Sequence, residues 1–114
     1  KIDQAAFDGF TPLSVACQEG HLKVAALLVD KGANIDQVMN NGTTPLMAAS
    51  FFNHPQVVAL LLQRGAAIDA TAESGATALS EAARAGHRRI VVMLNVERAK
   101  RAATTESIAA TANS

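Results

Sequence analysis

The chain contains no tryptophan, no tyrosine, one cysteine and only three prolines in 114 residues. Four phenylalanines are its whole aromatic inventory. The single Cys17 excludes an internal disulfide and fits a reducing compartment, so the expected location is cytoplasmic. No apolar run reaches the roughly 20 residues that a membrane-crossing helix needs, so no membrane association is expected. No secretory signal precedes the patterned region. Lys1 is not an initiator methionine, so the chain is expected to be a fragment or processed form, which allows for the loss of an upstream targeting segment. Lys and Arg together number ten, as do Asp and Glu, and the net charge is zero. The halves differ: residues 1–83 carry four basic and eight acidic side chains (−4), and residues 84–114 carry six and two (+4). A nucleic-acid binder normally has a stronger overall basic bias. The cations Arg84, Arg88, Arg89, Arg98, Lys100 and Arg101 also lack interleaved aromatics, so no nucleic-acid partner is expected.

What is present is enough for one small domain with a buried core, the chain being 49% hydrophobic. Its dominant feature is a period of 33 residues that relates Gly9, Gly42 and Gly75, then Thr11, Thr44 and Thr77, then Leu13, Leu46 and Leu79. Ala16, Ala49 and Ala82 obey it, as do His21, His54 and His87. A fixed period of this length is the signature of stacked repeats. The stretch from Gly42 to Ser74 is the most complete copy, with counterparts on both sides.

Gly-x-Thr-Pro-Leu at Gly9–Leu13 and Gly42–Leu46, followed by Gly20-His21, Leu27-Leu28 and Gly32-Ala33, resembles the ankyrin-repeat family. The resemblance covers nearly all of residues 1–103. It implies an all-α solenoid of three stacked helix–turn–helix units with connecting β-hairpin loops. It also implies protein binding without catalysis.

Residues 1–8 read as the tail of a preceding, truncated repeat, because Ile2-Asp3 precedes Ile35-Asp36 by one period. No polar cap covers that end, although terminal units of a solenoid usually carry one. In the first repeat, 9–41, Thr11 is placed to cap a helix and Pro12 to start it. The first helix should cover about Pro12–Gln18, and Gly20 should break it. The second should cover about Leu22–Asp30 and end at a left-handed Gly32. Asn41-Gly42 is a tight-turn pair. The second repeat, 42–74, reuses this grammar with Thr44, Pro45, Pro55 and Gly65. In the third, 75–103, Ala78 replaces the helix-starting proline and Arg98 the helix-ending glycine. Its last helix is therefore expected from about Arg88 to Arg101 or a little beyond, with Lys100 and Arg101 favouring its dipole. This repeat reads as the C-terminal cap, and 104–114 as a flexible tail or a short helix from Ser107.

Chemistry is poorly supported. The three histidines lie on successive repeats ~10 Å apart, whereas zinc needs its ligands ~2 Å from one ion. No acid or amide is obviously placed to orient His21, so a nucleophilic pair with Cys17 is poorly supported and a buried inert thiol is expected. Ser14 and Ser80 lack an elbow motif. They occupy the place where the family often has a histidine that ties hairpins together, and Met47 takes that place in the second repeat. Their presence predicts looser hairpins. Asn41-Gly42-Thr43 matches a glycosylation acceptor, but the pair has a structural use as a turn. The glycines are too dispersed to cradle phosphate. No catalytic residue, metal or cofactor is expected.

By the resemblance, the residues that face a partner lie at the hairpin tips, between the Gly and Thr of each repeat, and at the exposed end of each first helix. The expected binding residues are Phe7, Phe10, Gln18, Glu19, Asn40, Asn41, Thr43, Phe51, Phe52 and Arg84. Asp8, Glu73, Ser74, Ala76 and Ala85 occupy the remaining positions of this kind. All four phenylalanines fall in this set, and clustered exposed apolar groups mark interaction surfaces. The expected partner is a protein, with Phe51 and Phe52 as anchors and Gln18, Glu19, Asn40, Asn41 and Arg84 as a polar rim. A different role for Phe51 or Phe52 is local packing on Pro55 or Leu22, while Phe7 and Phe10 sit where a missing repeat would cover them. A different role for the whole chain is that of a structural segment packed against its own longer polypeptide. The open N-terminal end also allows self-association.

Overall fold

A computed structural model describes residues 2–3 and 9–112, with side chains to Thr105. Its described part contains six helices and no strand: α1 Pro12–Glu19, α2 Leu22–Asp30, α3 Pro45–Phe51, α4 Pro55–Gln63, α5 Ala78–Ala85 and α6 Arg88–Ala112. They form three antiparallel pairs. The first helices α1, α3 and α5 stack in one row, and α2, α4 and α6 stack in a second row behind them.

Each first helix begins at a threonine with extended backbone, whose Oγ1 accepts from the amide three residues on. At Thr11 and Thr77 the bond is returned. Ser14 Oγ accepts from the Thr11 amide at 2.8 Å, and Ser80 Oγ from the Thr77 amide at 2.8 Å. The serines therefore close capping boxes. At these positions the serine hydroxyl gives the helix start a local lock.

Small residues at one position, Ala16, Ala49 and Ala82, let neighbouring first helices approach, and all three are buried. Leu13, Leu46, Leu61, Ile90 and Leu94 fill the space between the rows. The second helices α2 and α4 end in the same way. Gly32 has φ +96°, its amide donates to Val29, and the next amide, of Ala33, donates to Leu28. Gly65 and Ala66 repeat this closure on Leu62 and Leu61. The hairpin tips are held by Met39 N–H to Thr43 O and Ala72 N–H to Ala76 O, both 2.9 Å. One tip is tied to the next by Glu73 N–H donating to Asn41 O at 3.1 Å.

The last helix differs from expectation. It does not stop near Arg101 but continues to Ala112. No glycine or proline interrupts residues 88–112, and alanine-rich sequence sustains a helix once it is started. Arg101 is therefore far from the helix end and does not serve its own dipole. Its guanidinium instead donates to the carbonyls of Ala66 (2.7 Å) and Leu62 (3.2 Å) at the end of α4. The periodic aspartates show what the missing turn costs. Asp3 and Asp36 each accept a backbone amide from the following repeat, of Asn34 and Ala67. Asp69 has helix where that loop would be, and it pairs with Arg98 at 3.0 Å instead.

Candidate functional site: an aromatic groove between hairpin tips and first helices

The turn between the two helices of each pair positions the site. Gly20 and Gly86 adopt left-handed backbone there, with φ +75° and +79°. In the middle repeat Asn53 takes the same conformation, φ +63°, the one non-glycine residue among those described to do so. The histidine that follows reaches back to the preceding repeat. His54 Nε2 lies 2.8 Å from the carbonyl of Gln18, and His87 Nε2 lies 2.9 Å from that of Phe51. A carbonyl only accepts, so each Nε2 carries the proton and donates. These bonds fix the C-terminal ends of α1 and α3, where Gln18 and Phe51 point toward the hairpins.

The Phe51 and Phe52 rings meet edge to face, with centroids 5.0 Å apart. The Arg84 guanidinium, one repeat further on, sits over the Phe51 ring at 5.3 Å. It is held there by Glu81, whose two carboxylate oxygens accept from Arg84 Nη2 at 3.0 and 2.9 Å. Both side chains come from α5, one turn apart, so the wall is built before any ligand arrives. Phe52 remains 46% exposed.

These residues border an open groove of about 440 Å³. Its floor and sides include Met39, Met47, Ala48, Phe51 and Phe52, and its rim includes Gln18, Asn41, Thr43, Glu73, Ser74, Glu81 and Arg84. Six of the expected binding residues are thus gathered on one concavity: Gln18, Asn41, Thr43, Phe51, Phe52 and Arg84. Phe51 and Phe52 pack on each other, and Phe51 also lies beneath Arg84. Phe10 is half-buried, and Glu19 and Asn40 are exposed, but none of the three borders the groove. Phe7 and Asp8 lie outside the described residues. The lining residues that sequence reasoning missed are Met39, Met47, Ala48, Ala72 and Glu81. Met47 had a signal, since the equivalent positions hold Ser14 and Ser80.

The arrangement offers apolar surface, hydrogen-bonding groups and charge. Among the described residues no three His, Cys, Asp or Glu side chains are placed to share a metal ion. Cys17 is a buried residue of α1, and burial raises its thiol pKa to about 12. Among the described residues no helix is long and apolar enough to cross a membrane.

The family profile described as Ankyrin repeats (3 copies) matches residues 1–72 and 36–102. No curated protein matches the chain.

Proposed function

The chain belongs to the ankyrin-repeat family, generally a non-catalytic scaffold for protein–protein interaction, and from that premise we propose that its concave face binds a protein partner. The observation that carries this reading is the Phe51–Phe52 pair, which borders an open groove while Phe52 remains nearly half exposed. Aromatic side chains bordered by polar groups are the usual anchors of an interface. The mechanism is surface complementarity, with no bond made or broken. The test is paired affinity capture from a native extract with this chain and its Phe51→Ala/Phe52→Ala variant, each checked by thermal melting. Loss of a captured protein without loss of melting temperature supports the reading. Equal capture by both baits would move the interaction surface elsewhere.

A second reading, as a structural segment, rests on the opposite end of the stack. Val24 is 48% exposed, whereas its equivalents Val57 and Ile90 are 1% and 0% exposed beneath the preceding repeat. Pro12 is exposed and Pro45 buried. His21 makes no bond, among the described residues, like those of His54 and His87. On this reading the end face, with Val15, Val24 and Leu27, packs against another part of a longer polypeptide or against a second copy. Sedimentation of the wild type and Leu27→Glu separates the two. Concentration-dependent association abolished by Leu27→Glu identifies a second copy, whereas a monomeric wild type removes self-association.

A further inference from the structure

The three repeats carry Ser14, Met47 and Ser80 at one position. The serines return a hydrogen bond to their capping threonines, and a methionine cannot. The middle repeat therefore gives up a capping bond and places a thioether side chain, 2% exposed, beneath the groove. Breaks in an otherwise repeated local rule are where function is expected. Met39 joins it, and methionine side chains adapt to the shape of an apolar group set between them.

The charges of the groove are equally specific. Arg84 is the one cation among the described lining residues, and Glu81 matches its charge. Glu73 is exposed on the rim with no ion pair among the described residues, so the lining carries one uncompensated negative charge. The groove is also open, and Asn41 and Ser74 offer polar groups along its edge.

Resting on the concave-face reading, we infer that this groove receives an extended segment of a partner protein that presents a large apolar side chain beside a lysine or arginine. The apolar side chain enters between Met47 and the Phe51–Phe52 pair, and the cation meets Glu73. Met47 and Glu73 are the residues that decide which segment binds.

The test is selection of a display library of random twelve-residue peptides on the immobilised chain. Enriched peptides are then measured as synthetic, labelled molecules by fluorescence anisotropy. The expected result is enrichment of large apolar residues next to Lys or Arg. Ala76→Phe should weaken such a peptide by about tenfold or more, because the new ring fills the groove. The scaffold tolerates a ring there, since Phe10 occupies the same position in the first repeat. Glu73→Gln should remove the preference for a basic neighbour and leave the apolar one. Enrichment of acidic or wholly polar peptides, or equal binding by an Ala76→Phe chain that melts like the wild type, overturns the inference. So does an absence of enrichment. If capture still depends on Phe51 and Phe52 in those cases, the concave reading stands and only the assigned chemistry falls.

Discussion

His87 Nε2 donates to the carbonyl of Phe51 across 2.9 Å, one repeat forward from His54 and Gln18 at 2.8 Å. The bond joins the turn of one helix pair to the end of the first helix of the pair before it. It also fixes the backbone of the residue whose ring lies under Arg84. His87→Ala should lower stability by about 1 kcal/mol, as expected for a half-buried hydrogen bond. Urea denaturation would read this loss, and a variant as stable as the wild type would show that stacking alone holds the last repeat.

Ser50 should be a stabilising site. Its hydroxyl is fully buried in α3 and has no hydrogen-bond partner among the described residues. The equivalent residue in the first repeat is the apolar Cys17. Ser50→Ala removes the cost of an unsatisfied buried group, about 1 kcal/mol or more, and should raise the melting temperature. A lower melting temperature would mean that the hydroxyl contributes packing that outweighs its desolvation.

The left-handed turn residues should respond in opposite directions. Asn53→Gly relieves a conformation that favours glycine and should stabilise by a few tenths to about 1 kcal/mol. Gly20→Ala should destabilise by more than that. Its Cβ would lie 2.5 Å from His54 Nδ1 in a backbone that L-residues rarely adopt, displacing the ring that binds Gln18. Comparing the two denaturation midpoints tests the pair, and equal effects would contradict it.

Arg101 should matter more than its neighbours. Two guanidinium nitrogens cap α4, while Nε binds Glu97 at 3.0 Å. Arg101→Lys should cost about 1–2 kcal/mol, because one ammonium cannot span the same acceptors as the planar fork. Lys100→Ala, at an exposed position, should leave stability unchanged. An Arg101→Lys chain with wild-type stability would refute the bridging role.

The Cys17 thiol should resist alkylation in the folded chain and react readily in denaturant. Burial raises its pKa to about 12 from 9.0, and the thiolate is the reactive form. The folded pKa is above the unfolded one, so this contribution to stability is intact below about pH 9 and declines as pH rises toward 12. Rapid labelling in native buffer would show that the repeat opens locally.

The bounds of α1 and α2 and the starts of α3 and α4 were legible to within a residue or so because these helices carry their own local signals. Thr-Pro, a left-handed turn before histidine, and Gly32 or Gly65 are local signals, readable without tertiary contacts. The end of α6 was not legible. Nothing in its last residues marks a boundary, and an Ala/Thr/Ser composition suits helix and tail equally. Arg101 shows the same limit from the other side, since its acceptors lie 35 and 39 residues away.

The groove divides along similar lines. The period placed Gln18, Phe51 and Arg84 at one repeated position, and stacking such positions side by side lets Arg84 reach the Phe51 ring. Glu81 was not foreseen, because its ion pair with Arg84 depends on rotamers that the neighbouring ring helps to set. Nor was Met47, because a methionine among apolar residues reads as core until a groove is seen above it.

The sequence by itself determined the repeat, the local start and stop signals of its first helices, and the positions where the family resemblance leads a partner to be expected. These follow from local backbone chemistry and from a period that converts sequence distance into spatial order. Only the tertiary structure decided which of those surface residues converge, how far α6 runs, and which buried groups lack partners. Those outcomes depend on side chains that meet across repeats, where packing and desolvation set the result.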